Sequence, residues 1–496
     1  MSDQKTAWAL LDAGRDAEAL PITTRLVSQP APTCSALIAH ATALRALGRT
    51  PEALPFNHTS TRLYPKDPFA WYNLAATLGD LDLGVESDAA IRRALSLGMT
   101  APEAVLVLSR ALQLQHRYDE AERAFRLTLE RRPDYTDALR DYSQLIWMRT
   151  ADLSLALQPI DKALAAAPGN AGLHYLRAVV QEAAGDLDAA AASLAQGLGH
   201  APLDLGLLTK ASHVAAARGE PQAALTLARQ AVAAAPQAPS AHQALCLACL
   251  ADGQAEQAAA IAAELLNASP FDQLALAMQA TALRLLGDPR YGQLYDYEGL
   301  VGAYTLDTPD GWPDLPSFLA DLARSLEGQH QLQSHPLQQS LRHGSQAHTL
   351  LASTDPVIRA FFTSAGKVIA RHQAAIDVGQ DPLRVRNTGP AAILSAWSVR
   401  FGSTGFHVDH IHQQGWLSTA FYVQTPDTAL ATPGREGWLK FGEPGVPTKP
   451  ALGPEHFVKP QPGLLVVFPS YMWHGTVPFT SDESRMSIAF DVAAPV

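Results

Sequence analysis

The chain has 496 residues, 47% hydrophobic and 17% charged, with a formal net charge of −11. So apolar a composition excludes a disordered chain, no apolar run approaches the ~20 residues of a membrane-spanning helix, and the acidic balance argues against a phosphate-rich partner. Neither nucleic acid nor membrane is therefore expected. Three cysteines (Cys34, Cys246, Cys249) make no disulfide framework, and the first residues lack a basic segment followed by an apolar core, so a cytoplasmic location is expected. At ~150 residues per domain the length suggests two to four domains.

From the N-terminus, Pro30, Pro65, Pro133, Pro168, Pro202, Pro236 and Pro270 are separated by 35, 68, 35, 34, 34 and 34 residues. Gly14, Gly48, Gly185, Gly219, Gly253 and Gly287 keep the same beat. Each unit reads helix, Gly turn, helix, Pro, with Gly adopting the conformation that ends a helix and Pro expected in the first turn of the next. Between Pro202 and Ala235, apolar residues recur at three- and four-residue spacing through two helix-length segments, and small Ala lets helices approach closely. The 34-residue period, the helix–turn–helix plan and the segments Asp119-Glu120-Ala121 and Ala255-Glu256-Gln257-Ala258 resemble the tetratricopeptide repeat, about eight units over residues 1–290. That resemblance implies an all-α superhelix whose groove takes a peptide or protein, or which serves self-association as a homo-oligomer. Cys246 and Cys249, with no second pair nearby, read as core thiols.

After Gly287 the pattern changes. Residues 291–329, rich in Tyr, Gly and Pro, read as a connecting segment, and residues 330–496 as a second domain. Helical spacing returns in PSFLADLARSLEGQH and DPVIRAFFTSAGKVIARHQAAI, and beyond Pro382 the short runs ILSAWSVRF, WLSTAFYV, GLLVVFP and RMSIAFDV read as strands. Helices followed by short strands suggest a double-stranded β-helix, a cupin-like jelly roll with flanking helices, so the fold class expected is α+β multidomain. Ten of the seventeen His lie after residue 310. His407, Asp409, His410 and His412 fall within six residues, and His474 follows a later strand, the plan of a facial metal site with open positions. Arg485 and Ser487 share a strand face, a guanidinium fork plus a hydroxyl suited to a carboxylate.

These motifs, His410-x-His412, Leu417-Ser418 with Phe421-Tyr422-Val423, Phe468-Pro469-Ser470 with His474, and Arg485-x-Ser487, resemble the iron(II)/2-oxoglutarate-dependent oxygenases, specifically a bacterial and phage family. The resemblance implies Fe(II), 2-oxoglutarate and O2, with decarboxylation to succinate coupled to hydroxylation of a C–H bond. It places the metal on His410, His412 and His474; the superfamily's His-x-Asp alternative is His407 with Asp409, and strand alternation leaves the choice open because each set occupies its own face. It implies catalytic roles for His410, His474 and Arg485, cosubstrate contacts from Arg485, Ser487, Tyr422 and Ser418, and a substrate pocket lined by Arg342, Gln346 and Trp416. The expected function is hydroxylation of a peptide or protein side chain recruited by the repeats. The alternatives are a small-molecule hydroxylase with repeats for oligomerisation, and a non-catalytic scaffold with a degenerate jelly roll. Substrate identity and the choice among hydroxylation, desaturation and halogenation stay open. The acidic balance favours basic or neutral segments in the groove.

Overall fold

The structure, a computed structural model, describes residues 3–348 and 350–495 and divides at Leu145/Ile146 into two compact units, inside the helix Thr136–Thr150. In the first unit, helices pair in sequence: Asp3–Asp12 with Asp16–Val27, Cys34–Ala46 with Thr50–Leu63, Pro68–Asp80 with Gly84–Ser96, and Pro102–Leu114 with Tyr118–Arg131. Ala39, Ala43, Ala53, Ala75, Ala94 and Ala104 are fully buried, so the helices meet on methyl groups.

The repeat is fixed by its turns. Residues 14, 48, 82, 116, 151, 185, 219, 253 and 287 all adopt positive φ, and where Gly is absent the position is held by Asp82, His116 and Ala151. The left-handed conformation is thus demanded by the fold even where a Cβ makes it costly. The periodic prolines do not start helices, as the sequence suggested. Pro65, Pro168, Pro202 and Pro270 each lie two residues before Asp67, Asn170, Asp204 and Asp272, whose side chains cap the following helix by accepting a backbone N–H. An Asx oxygen satisfies an orphan amide at that point, which proline cannot do, so proline is displaced into the turn.

The second unit continues with the helices Leu153–Ala166, Ala171–Ala183, Leu187–His200, Leu205–Ala217, Pro221–Ala234, Pro239–Asp252, Ala255–Ala268 and Gln273–Leu286. Among the described residues ten strands follow: β1 (Gly302–Thr305), β2 (Leu341–Ala347), β3 (Ala392–His407), β4 (Leu417–Gln424), β5 (Leu439–Phe441), β6 (His456–Val458), β7 (Leu464–Pro469), β8 (His474–Thr476), β9 (Phe479–Thr480) and β10 (Arg485–Ala493). They form an antiparallel sheet in the order β1-β7-β4-β10-β3-β2, with β9 on β3, and a smaller antiparallel sheet β6-β5-β8. Helices Leu315–Glu327 and Pro356–Ile376 pack on the larger sheet through Phe318, Leu322 and Phe361.

Residues 291–329, read from sequence as a connection, supply β1, which pairs with β7, and carry Leu294, Tyr295, Leu300 and Phe318 into the same core as Phe421, Val467 and Phe490. The last repeat helix joins that core through Leu276, Ala277, Ala280 and Leu283. The Trp473 indole N–H donates to the Thr281 hydroxyl at 3.0 Å, and Arg284 donates to the carbonyls of Gly442 and Gly453 and pairs with Glu455. Repeats and strands here share one interior.

Two outcomes follow. Ala151 is exposed with φ of 52°, so Ala151→Gly is expected to stabilise the protein by about 1 kcal/mol, read as a higher urea midpoint at unchanged slope. Deleting residues 1–290 removes Leu276, Leu283 and the Thr281 partner of Trp473, and the remainder is expected to lose near-UV circular dichroism and cooperative unfolding.

Candidate metal centre

The strand expected to carry all four ligands ends at His407, and residues 408–416 run as a loop stitched to the other sheet. His410 and His474 exchange backbone hydrogen bonds, and the His412 amide donates to the Ser470 carbonyl. Strand alternation therefore does not govern the loop. These bonds bring the side chains of His410, His412 and His474 together, with one ligand atom from each lying within 4.8 Å of the others.

Their second nitrogens settle which atoms face the centre. His410 Nδ1 lies 2.8 Å from the Val408 carbonyl, His474 Nδ1 2.9 Å from the Met472 carbonyl, and His412 Nδ1 2.6 Å from Asp491 Oδ1. An acceptor at each Nδ1 places the proton there and leaves the Nε2 lone pair inward. The Nε2 atoms of His410 and His412 are then 3.2 Å apart, an arrangement two lone pairs resist unless a cation lies between them. One extra proton would join two nitrogens; three converge, which fits a metal ion. Burial drives the His410 pKa down to about 3 and that of His474 well below its ordinary value, reinforced by neighbouring imidazoles, so both stay neutral.

Asp491 was not singled out from sequence, although the signal was there: it follows Arg485 and Ser487 at even spacing on β10, and all three line the same cavity. Its Oδ1 also accepts from the Ser418 hydroxyl at 2.8 Å, and Ser418 and Ser470 are 2.8 Å apart. Ser418, expected beside the cosubstrate, stands behind His412. His407 and Asp409 are not part of the converging group, although the Ser340 hydroxyl, 3.2 Å from His410 Nε2, bridges from it to His407. His407 Nδ1 is 2.9 Å from Ser340 Oγ, and Asp409 pairs with Lys440 at 2.8 Å.

At the other end of β10, Arg485 is 2% exposed, and its Nη1 donates to the Gly437 carbonyl at 2.8 Å. Its Nε and the Tyr422 hydroxyl are buried without hydrogen-bond partners, and the guanidinium carbon stands 5.1 Å from the Tyr422 ring centre. Desolvation lowers the Arg485 pKa, with only the Tyr422 hydroxyl opposing it, so the cation is buried with no acid to balance it. Such a group gains most from a carboxylate brought in from outside.

Arg485, Ser487, Asp491 and the three converging imidazoles line a cavity of about 1020 Å³ between the two sheets. Arg342 and Gln346 also line it; Trp416 does not. Trp416 is 1% exposed, with its indole donating to the Leu383 carbonyl, because large apolar rings at the start of β4 complete the core. Trp397 takes the wall position, stacked on His412 with ring centres 5.4 Å apart. The far wall comes from the repeats, through Val179, Glu182, Ala183 and Lys210.

Residues 395–491 match the family model described as "Putative 2OG-Fe(II) oxygenase", and residues 106–171 and 209–273 match the tetratricopeptide repeat. The chain thus carries tetratricopeptide repeats followed by a C-terminal region that matches the model of a putative 2OG-Fe(II) oxygenase. A search of curated proteins returned no match. Among solved structures, a tetratricopeptide repeat protein from Parabacteroides merdae is 14% identical, covering 50% of this chain and 98% of its own at a TM-score of 0.36. YrrB, described as a TPR protein with an unusual peptide-binding site, is 18% identical, covering 37% and 95% at a TM-score of 0.25.

Because Asp491 fixes the tautomer and direction of His412, Asp491→Asn is expected to weaken iron(II) or cobalt(II) affinity by about 10–100-fold, measured by calorimetric titration of the apoprotein.

Proposed function

We propose that the protein is an iron(II)/2-oxoglutarate-dependent dioxygenase that hydroxylates a side chain of a peptide or protein recruited by its repeats, and that its oxygenase domain comprises residues 291–496. The observation that carries this reading is a pair of unmet demands in one cavity: three imidazoles with lone pairs converging, and a buried arginine without an acid.

In this reading His410, His412 and His474 hold the iron through Nε2, and Arg485 with Ser487 grips the distal carboxylate of 2-oxoglutarate. Iron with 2-oxoglutarate and O2 supplies the oxidation: the substrate C–H becomes C–OH, and 2-oxoglutarate leaves as succinate and CO2. Asp491 keeps His412 aimed, through a hydrogen bond itself supported by Ser418. Tyr422 offers its free hydroxyl beside Arg485, where a carboxylate oxygen would accept it. Phe401, Phe468 and Trp397 exclude water around the centre and limit unproductive oxidation. A repeat wall on the cavity supports a role for the repeats in presenting substrate, rather than oligomerisation alone.

Succinate formation from 2-oxoglutarate with iron(II) in air tests this directly. His474→Ala is expected to abolish it to below 1% of the parent. Arg485→Gln is expected to raise the KM for 2-oxoglutarate at least tenfold, the loss of roughly 1.4 kcal/mol or more of carboxylate binding. Unchanged activity in both variants would rule the assignment out.

A further inference from the structure

A second arginine in the same cavity lacks an acid. Arg342, on β2, is half-buried, and its Nη1 donates to the carbonyls of Gln339 at 2.7 Å and Leu341 at 2.8 Å, which fix the guanidinium against its own strand. No ion pair to Arg342 occurs among the described residues. The acid whose field reaches it is Glu182, on the repeat helix Ala171–Ala183, and Glu182 is already paired with Lys210 on the helix Leu205–Ala217. Burial lowers the Arg342 pKa, as it does for Arg485, the signature of a charge stripped of water and not repaid.

Arg342 faces the repeat helices: its charge acts on His335, whose Nε2 meets the Ala183 carbonyl of the repeat wall, while Arg342 and Arg485 both act on His407. The cavity it lines is walled both by the repeat helices and by the triad. Around it the cavity presents Gln338, Gln339, Gln346, Gln413 and Gln414, amides that both donate and accept and so match the backbone of an extended peptide. Leaving aside Arg485 and Asp491, whose tasks are internal, the charged groups on the wall are Lys210 and Arg342 against Glu182. The local balance is positive although the chain as a whole carries −11.

We propose that Arg342 is the substrate-recognition residue of this cavity, binding a carboxylate of an acidic peptide that enters along the repeat helices Ala171–Ala183 and Leu205–Ala217. This rests on the reading of the triad and Arg485 as the iron and cosubstrate site. It also replaces the expectation of basic or neutral segments drawn from net charge, because binding follows the charge facing the ligand rather than the sum over the surface. Arg342 touches substrate and takes no part in bond breaking, so its loss changes which peptides bind and not the oxidation itself.

The test uses full-length protein loaded with zinc(II) and 2-oxoglutarate, so that binding is read without turnover. Pools of randomised hexapeptides carrying a fixed central Asp or Glu, or a fixed Asn or Gln, each with amidated or free C-termini, are passed over it, and retained peptide is quantified by mass spectrometry. The amidated acidic pools are expected to be retained at least tenfold above the amide pools. In Arg342→Gln the ratio is expected to fall to about one. A preference seen only with free C-termini, no preference, or no retention of any pool overturns the proposal. If the parent makes no succinate, the oxygenase reading fails, and the retention ratio still decides the role of Arg342.

Discussion

Three imidazole lone pairs pointing at one place are the constraint around which the C-terminal half is built. Each is set by a hydrogen bond on the far side of its ring, two to carbonyls and one to the Asp491 carboxylate, and burial keeps His410 and His474 neutral. The loop 408–416 holds this arrangement through backbone bonds to His474 and Ser470 and through the Asp409–Lys440 pair, which fastens it to β5. Converging acceptors repel one another, so the surrounding fold has to over-determine them.

Strand β10 runs along the cavity from the imidazole triad to the buried guanidinium. Asp491 at one end orients His412, and Arg485 at the other stands buried beside Tyr422, with Ser487 and Ala489 on the same face between them. β10 is paired on both edges, to β3 and β4, so the spacing between them is rigid. Tuning by burial works in opposite directions here: it keeps imidazoles uncharged for a cation, and leaves guanidinium charge unbalanced for an anion.

The second unit does not separate into an enzyme and an appended array. Its last repeat helix supplies core residues to the strand domain, and two earlier helices wall the cavity. Tyr295 exemplifies the join: its hydroxyl donates to the Tyr471 carbonyl and accepts from the Trp473 amide, one residue before His474. Repeat packing, strand packing and ligand position are therefore mechanically coupled in that unit.

The repeat period was legible in the sequence because it is local: a left-handed turn every 34 residues is written in Gly, and the structure imposes the same turn where Asp82, His116 and Ala151 stand. The spacing of His410 with His412 and of Arg485 with Ser487 was legible for a similar reason, each pair lying within three residues of chain, although only the second sits on one strand face. Helix starts were misplaced because proline and the capping Asx residues compete for the same turn, and only hydrogen-bond demand decides between them. What tertiary structure alone decided was whatever depends on groups distant in the chain. Alternation could not choose between His407 with Asp409 and His410 with His412, since the strand stops at His407 and partners 60 to 80 residues away orient the loop. Trp416 went to the core, Asp491 behind a ligand, and residues 291–329 into the sheet, because burial and pairing are settled by what the folded chain brings alongside.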